Sequence, residues 1–166
     1  MGINRCKPHL TVFLEDKPYR DIFNGIKRLH YVNCNILDVK HPCGGWVKVF
    51  SNFEENLPFI NSNNNQYVLL VMDFDNNFQS RKSRFDELIQ GQQCSNRVFL
   101  FGIEHKESED LKRFLNITDN EKLGQSLLNS CHDENCEVWK NIHLNVNFSE
   151  IERLQQSLIY PIFLSQ

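Results

Sequence analysis

Apolar and polar positions along this chain follow two alternating rhythms. Residues 9–14 (HLTVFL) form a short run rich in Val, Phe and Thr, the signature of a β-strand, and stop at Glu15-Asp16. Pro18 suits the first turn of a helix. From there Tyr19, Ile22, Phe23, Ile26 and Leu29 recur at helical spacing. Residues 34–40 (CNILDVK) predict a second strand and residues 41–45 (HPCGG) a turn. Trp46, Val47, Val49, Phe50 and Phe53 then mark an amphipathic helix expected to stop near Pro58, before a polar surface loop over 61–66. Residues 67–72 (YVLLVM) are continuously apolar, as a strand buried on both faces must be, and end in Asp73-Phe74-Asp75-Asn76-Asn77. A helix over 83–90, closed by Gly91, leads to a fourth strand at 97–103 (RVFLFGI) that ends at Glu104. Ser108 reads as an N-cap, with Leu111, Phe114 and Leu115 on one face of the next helix.

The remainder predicts helices over 121–130, 134–141 and 149–160. The last opens on the capping-box pattern Ser149-Glu150-Ile151-Glu152 and ends at Pro161. Strand and helix alternate without internal repeats or a long linker. That order predicts an α/β, Rossmann-like fold: a mostly parallel sheet of about four strands flanked by helices, with a helical C-terminal segment. Residues 1–118 form the expected core and 119–166 an extension packed on the same domain.

The 166 residues are enough for one buried core. Thirteen Phe predict that this core is rich in rings. No run of eighteen apolar residues occurs, so no transmembrane helix is expected. The start lacks a signal pattern, and Cys6 stands where a myristoylation motif needs Ser or Thr. The expectation is therefore a cytoplasmic protein whose six cysteines are free thiols. The net charge of −3 lacks the basic excess common in nucleic-acid binders, so any cationic surface for phosphates must be local.

Ligands of parallel sheets sit beyond the carboxyl ends of the strands, and acids follow strands one, three and four here: Glu15, Asp73 with Asp75, and Glu104. Side chains two apart on a strand point the same way, so Asp73 and Asp75 are expected to converge while Phe74 packs inward. Adjacent carboxylates repel unless a cation lies between them. Mg²⁺ or Mn²⁺ suits such oxygen ligands and can polarise a phosphoryl oxygen or activate a water. Glu15 can complete the metal shell or act as general acid/base, from an open loop where its loss would cost little stability. Acids at strand ends also serve simply as solvated loop residues or helix caps. For Glu104, Glu107 and Glu109 that plain reading is the expected one, although one of them can join the site. Arg81, Lys82 and Arg84 can hold a phosphate backbone, with Lys48 and the Lys17, Arg20, Lys27 and Arg28 group extending the patch. Arg81, Lys82 and Arg84 read equally well as a solvated helix start, and Lys48 reads more readily as a surface lysine. Cys131 and Cys136, with only His143 beyond them, are expected to be a helix-end loop rather than a zinc site.

The order strand-Glu15, helix, strand, Gly44-Gly45 turn, helix, strand-Asp73-x-Asp75 resembles the Toprim domain of topoisomerases, primases, OLD-family nucleases and small ribosomal-RNA-maturing ribonucleases. The resemblance covers roughly residues 10–115 and is closest to the small, stand-alone OLD-like nucleases. It implies that Glu15 acts as general acid/base and metal-site residue, that Asp73 and Asp75 bind Mg²⁺, and that Glu104 assists. Asp16 replaces the Gly that often follows the family Glu, and Asp21 falls where a further acid often lies. The implied function is metal-dependent cleavage of DNA or RNA, alone, as a homodimer or with a partner protein, phage defence being one setting. Two alternatives stay open. One is a non-enzymatic module binding nucleic acid or protein. The other is a haloacid-dehalogenase-like phosphatase, which the sequence DFDNN on a third strand fits poorly.

Overall fold

Residues 3–104, 108–132 and 137–164 are described by a computed structural model. The elements run β1 (His9–Leu14), α1 (Lys17–Lys27), β2 (Leu37–Val39), α2 (Trp46–Ser62), β3 (Gln66–Asp73), α3 (Phe78–Ile89) and β4 (Val98–Ile103). They are followed by α4 (Ser108–Phe114), α5 (Asn120–His132), α6 (Phe148–Gln155) and α7 (Ile159–Phe163). The four strands form one sheet in the order β2-β1-β3-β4. Every pairing is parallel, with Leu10 opposite Leu37 and Tyr67, and Leu70 opposite Leu100. The fold is the expected α/β sheet with a helical C-terminal segment.

Alternation along β3 divides the core. Tyr67, Leu69 and Val71 join Ile22, Phe23, Leu123 and Leu127 on one face. Val68, Leu70 and Met72 join Phe50, Phe53, Phe85 and Leu88 on the other. Helices α1 and α5 thus cover one face, and α2 and α3 the other. The backbones of α1 and α5 come so close that a Cβ on Gly25 would lie 1.9 Å from the Glu121 carbonyl oxygen, and one on Gly124 2.0 Å from that of Ile22. Only glycine fits either place.

Several boundaries differ from the expectation. The second strand shrinks to residues 37–39, because Cys34–Ile36 coils into a 3₁₀ turn. Helix α2 runs through Pro58 to Ser62; Pro58 is exposed, and fully buried Ile60 anchors the turn beyond it. Helix α3 begins at Phe78, whose ring meets that of Phe74 at 5.1 Å. The expected helix over 149–160 breaks after Gln155, and Pro161 sits in the first turn of α7, where a missing N–H costs nothing. Glu137–Lys140 is a 3₁₀ turn, and the rest of the expected helix over 134–141 begins outside the described residues.

The capping box at Ser149 does not form, because its neighbours are used elsewhere. Asn147 accepts the Gly102 N–H at 2.9 Å and donates to the Gly102 carbonyl at 2.8 Å. Glu150 accepts the Leu100 N–H at 3.2 Å, and Arg153 donates to the Val98 carbonyl at 3.2 Å and to Glu150 at 2.7 Å. The C-terminal segment therefore lines the free edge of β4. Among the described residues no helix is long and apolar enough to cross a membrane. Cys6, Cys34, Cys43, Cys94 and Cys131 are free thiols. Cys136, and with it the Cys131–Cys136 pair, lies outside the described residues.

Candidate functional site

In the order β2-β1-β3-β4 the chain leaves β1 toward one edge and returns on its other side as β3. A parallel sheet opens a crevice at such a reversal, beyond the strands' carboxyl ends. Glu15 and Asp73 flank it. The Glu15 N–H donates to the Val71 carbonyl at 3.0 Å, extending the ladder by one step. Its carboxylate then turns across: Oε2 accepts the Asp73 N–H at 2.8 Å and Oε1 the Trp46 N–H at 3.1 Å. The turn before α2 is tied to the same place. Cys43 N donates to the Leu14 carbonyl at 2.9 Å and Gly44 N to that of Glu15 at 2.7 Å. Gly44 and Gly45, at φ +81° and +136°, swing the chain into α2 through conformations that other residues rarely adopt. Gly45 supplies no side-chain cap, and the Glu15 carboxylate takes that role on the positive end of the helix dipole.

Asp73 is held from α1. The buried Tyr19 hydroxyl donates to its Oδ1 at 2.5 Å. Asp16, the N-cap of α1, accepts the Tyr19 N–H at 3.4 Å. Burial pushes the Glu15 carboxyl above its ordinary range. The N–H of Asp73 opposes this, while the charges of Asp73 and Asp16 add to it. Asp16 is raised by burial as well, against the Tyr19 N–H. Tyr19 lies well above the usual phenol value, first through burial and then through the charge of Asp73. It is therefore a neutral donor throughout the working pH range. The result is a desolvated, mutually repelling group of carboxylates fixed by backbone amides and one tyrosine.

Asp75 departs from the expected geometry. The strand ends at Asp73, Phe74 is fully buried, and Asp75 and Asn76 take left-handed φ values of +50° and +60°. Asp75 is exposed on that turn, so the two-residue strand repeat does not place it on the face of Asp73. The expectation that Glu15 lies in an open loop is also corrected, since it is half-buried and both its oxygens accept backbone N–H groups. Glu104 is linked to the turn by its carbonyl, which accepts the Asn76 N–H at 2.7 Å. Its Oε2 is buried without a hydrogen-bond partner. Glu107 and the side chain of Glu109 lie outside the described residues.

Among the described residues no group of three or more His, Cys, Asp or Glu is arranged to hold a metal ion. The donor chemistry still suits a hard cation that takes one or two carboxylates plus waters or phosphate oxygens. The carboxylates of Glu15, Asp73 and Asp16 raise one another's charge cost, and a cation among them would relieve that repulsion.

The expected cationic residues separate into two kinds. Lys82 pairs with Asp86, and Arg84 with Glu54 at 3.4 Å and Glu87 at 3.7 Å, ordinary surface ion pairs of small energetic weight. Arg81 is buried, its guanidinium carbon 3.6 Å from the centroid of the Trp46 ring. Lys48 is exposed, with Nζ 3.8 Å from where a Cβ on Gly44 would stand. Asp21 is part-buried on α1. Tyr19, Trp46 and Asp16 belong to the site but carried no functional signal in sequence: the first two sit at positions of a helix's apolar pattern, and Asp16 only replaced a family glycine.

Comparison of the chain with family models, with curated proteins and with solved structures returns no match.

Proposed function

We propose that this protein is a Mg²⁺- or Mn²⁺-dependent nuclease that cleaves a phosphodiester of DNA or RNA in the cytoplasm, in the manner of the Toprim enzymes it resembles. The observation that carries this reading is the Glu15–Asp73 pair: the Glu15 carboxylate accepts the Asp73 backbone N–H at 2.8 Å where the sheet reverses direction. Asp73 and Glu15 would hold the ion, with Asp75 from its turn and the free Glu104 oxygen as further donors. When bound, such a cation stabilises charge on the phosphoryl oxygens and lowers the pKa of a water. The chain's own residues do the rest. Tyr19 fixes the Asp73 carboxylate, and the Trp46 and Asp73 amides orient Glu15. Burial keeps the Glu15 pKa raised, which suits it to take up and return a proton.

The direct test is plasmid and structured RNA incubated with Mg²⁺, with Mn²⁺ or with EDTA. Cleavage is expected with metal and absent with EDTA, and Glu15→Gln should slow it by roughly 10²–10⁴-fold. A second reading, a non-enzymatic binding module, is favoured by the engagement of both Glu15 oxygens in backbone bonds. It prevails if no substrate is cut under any metal. An aspartyl-phosphate on Asp73, trapped with beryllofluoride, would instead mark the phosphatase chemistry.

A further inference from the structure

Arg81 is 8% exposed, and its Nε is buried without a hydrogen-bond partner. Among the described residues it forms no ion pair. A guanidinium stays charged at any working pH, and a buried charge without a counter-charge is costly. Its guanidinium carbon lies 3.6 Å from the ring centroid of Trp46, the first residue of α2. At that helix start the first intrahelical bond runs from Val49 N to the Gly45 carbonyl. The amides of Val47 and Lys48 precede it and have no carbonyl to meet within the helix. Glu15 occupies only the Trp46 amide. The Lys48 ammonium folds back toward the Gly44 turn. A positive helix end, a fixed guanidinium and an ammonium thus gather at Gly44–Trp46, beside the acid pair.

We propose that Arg81, Lys48 and the first turn of α2 form a binding site for a phosphate group, one that works without metal and holds a backbone phosphate of the substrate strand. Assigning the phosphate to a nucleic acid rests on the nuclease reading; the anion site itself does not. Phosphate is the fitting ligand because the planar guanidinium fork and helix amides match its several oxygens, and because the site offers more than one positive charge. Trp46 keeps the guanidinium in one orientation by stacking.

The test is run in EDTA at constant ionic strength, so that no cleavage enters the readout. Inorganic phosphate should raise the melting temperature of the wild-type protein, and Arg81→Met should bind it roughly 10- to 100-fold more weakly. Without phosphate, Arg81→Met should melt no lower than wild type, since it removes an unpaired charge. A lower melting temperature with the phosphate response retained is the mark of a purely structural arginine and overturns the proposal. Exposed Lys48→Ala, which leaves the core untouched, should weaken the response several-fold; an unchanged response in both variants also overturns it. A short single-stranded oligonucleotide should compete with phosphate in the wild type and bind more weakly to Arg81→Met. Phosphate binding without such competition overturns the assignment to a nucleic-acid strand. Asp73→Asn should keep the phosphate response, so that failure of the nuclease reading and failure of the anion site are separable.

Discussion

Replacing Glu15 with Ala removes the acceptor of two backbone amides at once, those of Asp73 and Trp46, at 2.8 and 3.1 Å. Neither donor has a ready substitute. Asp73 N–H points along the end of the sheet, and Trp46 N–H opens a helix whose Gly45 gives no side-chain cap. Leaving a buried donor unmet costs about 1–3 kcal/mol. The site is half-buried, so water reaches part of it and the lower half of that range applies to each amide. Relief of the repulsion with Asp73 offsets a little more. The expected loss is about 1.5–3.5 kcal/mol, which for a chain of this length lowers the melting temperature by roughly 3–14 °C. Glu15→Gln retains one acceptor and should lose about half as much. Urea unfolding at pH 7, monitored by the signals of Trp46 and Trp139, measures both. A loss below about 0.5 kcal/mol for Glu15→Ala would mean that the two bonds are not made, and with them would go the account of how the pair is positioned.

Other outcomes follow from the same geometry. Mg²⁺ or Mn²⁺ should raise the melting temperature at pH 7 by binding the native state, and Asp73→Asn combined with Asp75→Asn should abolish the rise; a rise retained in the double variant refutes the metal pair. Glu15 and Asp16 both have folded pKa values raised by burial, so their contribution to stability is complete below the unfolded carboxylate pKa and is lost as pH rises through the folded values. Urea midpoints should therefore increase as pH falls from 7 toward that range, by less in Glu15→Gln, and identical pH profiles for the two proteins would contradict this. Asn147→Ala removes three buried bonds, to both backbone groups of Gly102 and to the Leu144 carbonyl, and should destabilise by about 2–4 kcal/mol in urea. A neutral result would deny the contact.

What could be read in the sequence was what short-range pattern controls. The run 67–72 is buried on both faces because it lies between neighbours in the sheet, and its uniform apolarity said so. Glu15 and Asp73 were identifiable because strand ends are simple to locate. Their roles were not, because the Trp46 amide that engages Glu15 lies 31 positions away. Asp75 was misplaced for a local reason: the rule of alternation holds only while the backbone stays extended, and Asp75 turns left-handed. Arg81 was grouped with Lys82 and Arg84 as one cationic run, although a helix turns adjacent residues to different faces and only Arg81 meets Trp46. At the C-terminus, Ser149-Glu150 matched a local capping motif, but Glu150 is drawn instead to Leu100 on a strand 50 positions earlier.

The row of contacts from Asn147, Glu150 and Arg153 bears on how this protein meets copies of itself. An uncovered strand at the margin of a sheet is a template, ready to recruit another chain and extend without limit. Here the amides of Leu100 and Gly102 and the carbonyls of Val98 and Gly102 are already taken by side chains. At the opposite margin β2 offers only Leu37–Val39, too short to seed a ladder. Self-association by sheet continuation is thereby discouraged at both margins. Cutting the chain before Asn147 would do more than shorten the protein: it would uncover the edge of a hydrophobic strand and invite growth from its side.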